Sequence, residues 1–138
     1  MPIALLILAC VLAGCSRQND ARVPKDFAGT WIATGSYSNG GGFTSTTTID
    51  RSNNYVCRIL TQYASGTTRI SDIEGNFQIR DGMLIDTMTK HSNTNAVLPT
   101  SMRTRIARID AREIVLKWES MEGENSPTND VVFRKVGK

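Results

Sequence analysis

Catalysis needs titratable or nucleophilic groups brought together, and this chain has few to bring. Its one histidine, His91, sits in Lys90-His91-Ser92-Asn93-Thr94-Asn95. A general base or metal ligand there needs a second histidine, a cysteine or a nearby carboxylate. The segment supplies none, so His91 reads as a solvated loop residue. Asp50-Arg51-Ser52-Asn53-Asn54 has oxygen-bearing side chains of the kind that hold calcium, but polar turns have the same composition, and a turn is the preferred reading. No G-x-S-x-G, H-E-x-x-H, C-x-x-C or phosphate-loop sequence occurs. No catalytic residue, metal site or cofactor is expected, and the chain does not read as an enzyme.

Charge offers one candidate surface. Arg103, Arg105, Arg108 and Arg112 gather around a single hairpin, and Arg103 and Arg105, two apart, share a strand face. They would suit anionic lipid headgroups, lipopolysaccharide phosphates or an acidic protein. The plainer reading is a solvated face balanced by Glu113 and Glu119. The formal net charge of +3 is far from the balance of a nucleic-acid-binding domain.

The elements that must position these groups are strands. Short alternating segments run over about 30–38, 43–50, 55–63, 67–73, 75–80, 83–89, 102–109, 113–120 and 130–136. Ile73, Gly75, Phe77 and Ile79 take one face, with Asp72, Glu74, Asn76, Gln78 and Arg80 on the other. Ile114, Leu116 and Trp118 alternate with Glu113, Lys117 and Glu119, while Val115 is apolar on the outer face. Turn chemistry separates the segments, as in Asn39-Gly40-Gly41-Gly42, Asp81-Gly82 and Gly123-Glu124-Asn125. No window sustains a helical period, although a short helical turn would fit within 90–101. Thr44 to Thr48 bears hydroxyls on both faces and reads as an edge strand, or as a strand with one face lining a polar cavity or meeting a partner. Cys57 alternates with Tyr55 and Ile59, which places it inside.

The expected fold is all-β: a single small antiparallel up-and-down β-barrel of eight or nine short strands over residues 27–138. A sandwich is the alternative, but it needs longer crossovers than the single long linker seen here.

The N-terminus differs from this body. Ile3 to Leu12 is an unbroken apolar run of ten residues, too short for a membrane-spanning helix, which needs about 20. No lysine or arginine precedes it. It ends in Leu12-Ala13-Gly14-Cys15, which resembles the lipobox of bacterial lipoproteins at all four positions. The resemblance implies cleavage between Gly14 and Cys15 and a diacylglyceryl group on the Cys15 thiol. Residues 1–14 would then be a signal peptide, residues 15–26 a lipidated tether, and the protein an envelope lipoprotein attached to the membrane through Cys15. Ser16, where an aspartate would favour inner-membrane retention, implies an outer-membrane location facing the periplasm in a Gram-negative cell. Of the three cysteines, Cys10 would leave with the signal and Cys15 would carry lipid, so Cys57 would have no disulfide partner.

Phe27-Ala28-Gly29-Thr30-Trp31 resembles the F-x-G-x-W start of the calycins, the lipocalins and fatty-acid-binding proteins. The resemblance implies that Gly29 turns the chain into the barrel and Trp31 plugs one end. A basic residue of the last strand, with Arg134 the matching candidate, would pack across the indole. The helical lid of the fatty-acid-binding proteins, their Arg-x-Tyr clamp and the long C-terminal helix of lipocalins have no counterpart here.

Three functions remain open: a non-catalytic binding module for an apolar or amphiphilic ligand or an envelope partner, an inhibitor of a periplasmic protease or lysozyme, and a structural or assembly lipoprotein. For an inhibitor, residues 40–42 and 121–127 would supply the inserted loop. The barrel's interior volume discriminates between them, because a filled interior leaves no room for ligand. The chain is expected to be a monomer.

Overall fold

Alternation of apolar and polar side chains leaves each segment with one face that water disfavours, and closing the sheet buries that face on every strand at once. The computed structural model describes Pro24, residues 26–117 and residues 127–137. Among these residues lie eight strands and no helix: β1 (Gly29–Ser36), β2 (Gly42–Ile49), β3 (Asn54–Gln62), β4 (Thr68–Arg80), β5 (Met83–His91), β6 (Thr100–Ile109), β7 (Glu113–Lys117) and β8 (Val131–Val136). Each pairs antiparallel with the next, and β1 pairs with β8, so the sheet is a closed up-and-down barrel.

Closure corrects two expectations. The segments expected at 67–73 and 75–80 are not two strands but one, β4, which begins at Thr68 and has a register shift between Glu74 and Gly75. Gly75 is not a chain break. A Cβ there would stand 2.3 Å from the Thr87 carbonyl oxygen and 2.6 Å from the Tyr55 hydroxyl, so glycine serves close approach. Nor is β2, which contains Thr44 to Thr48, an edge strand, since it pairs along its length with both β1 and β3.

The hairpins follow their turn residues. Asp81 and Gly82 both have positive φ, 53° and 72°, the conformation that a two-residue turn needs to match strand twist. Asp50 organises the β2–β3 turn by accepting hydrogen bonds from the amides of Ser52 (2.8 Å) and Asn54 (3.0 Å) and from the Asn54 side chain. No helical turn forms within 90–101, because β5 runs on to His91 and β6 begins at Thr100. The Asn93 side chain ties the intervening loop to β4 by donating to Ser71 Oγ at 3.1 Å.

A buried apolar cluster of Phe27, Trp31, Ile49, Phe77, Ile114 and Leu116 lies toward the end where β1 begins and β2 finishes. Phe27 meets Phe77 edge-on at 5.6 Å between ring centres, and the Trp31 indole N–H donates to the Phe27 carbonyl at 2.9 Å. That bond satisfies a polar group inside an otherwise apolar plug.

Candidate functional site

The interior beyond that plug is not filled. A cavity of about 230 Å³ lies between the strands, with Trp31, Phe77 and Leu116 among its walls at the packed end. At the opposite end Phe43, Ile59 and Met102 line it, and Met102 is 40% exposed, so the cavity reaches solvent there.

Strand parity determines what faces this space. On β2 the inward residues are Phe43, Ser45, Thr47 and Ile49, and on β3 they include Tyr55, Cys57 and Ile59. Thr44, Thr46 and Thr48 turn outward and are exposed. The hydroxyl-rich strand therefore puts Ser45 and Thr47 on the cavity wall. Cys57 is free and buried, in the inward position its alternation predicts.

The polar groups of the interior are few. Thr47 Oγ1 donates to Cys57 Sγ at 3.2 Å. Burial pushes the Cys57 thiol up from its ordinary pKa, against a smaller lowering by the Thr47 hydrogen bond. The Tyr55 hydroxyl donates to Asp86 Oδ1 at 2.7 Å. Burial raises the Asp86 carboxyl above its usual range, partly offset by that hydrogen bond. It also raises the Tyr55 phenol, and the hydrogen bond to Asp86 raises it further. Ser45, 3% exposed, has an Oγ with no hydrogen-bond partner among the described residues. An unsatisfied buried hydroxyl costs about 1–3 kcal/mol, and a polar group entering the cavity would relieve that cost.

The residues singled out from the sequence fall in different places. Gly14 and Cys15 lie outside the described residues, as do Trp118, Glu119 and residues 121–126. Gly29 has a φ of 133° at the start of β1, and Trp31, 1% exposed, lies in the plug. The cation over Trp31 is not Arg134 but Lys135, whose Nζ stands 5.8 Å from the ring centre. Register explains the correction. Lys135 pairs directly with the inward Trp31, whereas Arg134 pairs with Ile32 on the outer face and reaches Glu113 at 3.2 Å.

Arg103 and Arg105 lie on the outer face of β6. Arg108 joins them because the register shifts between Ile106 and Arg108, and it pairs with Glu113. Arg112 lies in the β6–β7 turn, with Nη1 3.4 Å from the Gly137 carbonyl oxygen. The outer face of β6 thus brings Arg103, Arg105 and Arg108 together, with Arg108 paired to Glu113, while Arg112 sits in the turn. His91 closes β5, and its Nδ1 accepts from the Asn93 amide at 3.0 Å. No group of three or more metal-binding side chains occurs among the described residues. Residues 40–42 pack against the β3–β4 hairpin, since a Cβ on Gly41 would lie 2.4 Å from the Gln62 carbonyl oxygen.

Asp86, Tyr55 and Ser45 were not singled out as site residues. On β5 the apolar pattern is two-sided: Leu84 lies in phase with Asp86, but Met83 and Ile85 occupy the other face. Alternation alone therefore does not show which face is inside. Leu84 and Asp86 both line the cavity.

No family model matches the chain, and no curated protein matches it. Among solved structures the chain is similar to a de novo designed fluorescence-activating β-barrel, at 17% identity and a TM-score of 0.47, covering 80% of this chain and 94% of the designed one.

Proposed function

We propose that this protein is a lipid-anchored envelope lipoprotein whose barrel holds a small amphiphile, without catalysis. The observation that carries the reading is the interior cavity of about 230 Å³, apolar over most of its wall and containing an unpartnered buried hydroxyl at Ser45. A cavity of about 150 Å³ accommodates benzene, so by proportion this one takes roughly nine non-hydrogen atoms, with room for a tail at the open end. Anchoring rests on the four lipobox positions Leu12 to Cys15. Each buried methylene contributes about 0.8 kcal/mol, so a diacyl group on Cys15 would hold stably where a single chain would not. A flexible tether of about 11 residues would reach roughly 18 Å on average, keeping the barrel close to its membrane. In a Gram-negative cell the Ser16 position favours the outer membrane, facing the periplasm.

Native mass spectrometry of the protein purified from its own envelope tests the reading, with Ser45→Leu as the variant that fills the cavity. The wild-type protein should carry a small-molecule adduct that the variant lacks. A wild-type protein that emerges empty and takes up no small apolar probe, or a variant equally loaded, would refute it.

A further inference from the structure

Among the described residues that line the cavity, Asp86 is the one carboxylate and none is cationic; Lys135, inward on β8 over Trp31, is not among them. Asp86 Oδ1 is occupied by the Tyr55 hydroxyl, while Oδ2 receives no hydrogen bond from the described residues. Gly75 is what lets this pair form, because any side chain there would collide with the Tyr55 ring and hydroxyl. Ser45 Oγ is a second free polar atom on the same wall, fully buried. A cavity with an apolar body, an oriented carboxylate and no cation in its lining favours a particular charge of ligand.

We propose that the ligand of this cavity is a small apolar amine, its ammonium group bound by Asp86 and its body packed against Trp31, Phe77 and Leu116. This rests on the reading of the barrel as a binding module and names its ligand class. A fatty acid is disfavoured, because two carboxyl groups would share a largely apolar cavity whose lining holds no cation, which favours keeping one of them protonated. A neutral alcohol fits but can only hydrogen-bond to Asp86, without the added attraction between opposite charges that an ammonium group gains.

The surroundings of Asp86 make binding pH-dependent. Its register neighbours, Phe77 on β4 and Met102 on β6, carry no charge. The titratable groups facing it are Tyr55 and Cys57, both held protonated by burial. Burial likewise favours the protonated Asp86 in the empty barrel. An arriving ammonium favours the ionised carboxylate instead, so affinity for amines rises with pH through the carboxyl's titration.

The test is calorimetry on the full chain in lipid nanodiscs, with empty nanodiscs as reference. The probes are 2-phenylethylamine, 2-phenylethanol and phenylacetate, near neutral pH. The amine should bind about tenfold more tightly than the alcohol, and phenylacetate should not bind. Asp86→Asn, which keeps an acceptor for Tyr55, should abolish the preference for the amine while leaving alcohol binding in place. Amine and alcohol binding equally, phenylacetate binding best, or a preference that survives Asp86→Asn would overturn the amine inference and leave the binding module standing. If none of the three binds, the module reading falls and the inference with it. The wild-type ranking decides the question even if the variant does not fold.

Discussion

Replacing Trp31 with alanine should nearly unfold the barrel. Its side chain is among the most completely buried in the protein, at 1% exposure. Truncating a large aromatic in a packed core costs about 3–5 kcal/mol. The substitution also removes the indole N–H that the Phe27 carbonyl accepts, worth roughly 1 kcal/mol. Loss of the Lys135 contact adds about 0.5 kcal/mol, because that side chain is only half-buried. The total, about 4.5–6.5 kcal/mol, approaches the whole stability of a small domain, roughly 5–15 kcal/mol. The melting temperature should fall by roughly 15–25 °C for a domain of this size. The measurement is urea denaturation followed by circular dichroism on a chain beginning at Val23. Because a closed barrel leaves no strand edge for pairing, that chain should fold as a monomer with reductant and chelator present, which sizing checks first. A loss below about 1 kcal/mol would refute the plug. A double-mutant cycle then separates the two cations. Lys135→Met should couple to Trp31→Leu by about 0.5 kcal/mol, and Arg134→Met should not. Coupling through Arg134 instead would refute the assigned register.

Three further outcomes follow from the same geometry. Cys15→Ser should leave an uncleaved precursor that incorporates no fatty-acid analogue in metabolic labelling, and label surviving the substitution would sink the lipobox reading. Asp86 has its carboxyl raised in the folded state, so the native protein binds more protons than the unfolded chain between the two values. Its contribution to stability is therefore present at low pH and is lost as pH rises from the unfolded toward the folded value. Denaturation midpoints measured across that window should be flatter with pH in Asp86→Asn, and an identical slope would exclude a buried carboxylate. Gly75→Ala should cost about 1–3 kcal/mol through overpacking against Tyr55 and Thr87, and near-neutral stability in the same denaturation assay would contradict the close approach.

The chain's alternation carries the fold class, because a period of two with apolar residues on one face has no other efficient burial. Turn residues carry the hairpins, as Asp81-Gly82 illustrates: only residues tolerant of positive φ fit that connection. The inward position of Cys57 follows from its phase with Tyr55 and Ile59. Alternation relates neighbours within one strand, however, and says nothing about which faces meet across the barrel. That is why Gly75 reads as a break until Tyr55 is seen lying over it. It is also why the cation over Trp31 is Lys135, since the pairing of β8 with β1 joins segments far apart in sequence. The register shift in β6 turns Arg108 outward by a geometry no local pattern encodes. Cavity volume, the free Ser45 hydroxyl and the Tyr55–Asp86 contact are tertiary properties for the same reason: each depends on how far apart closure holds strands that the chain places dozens of residues away from one another.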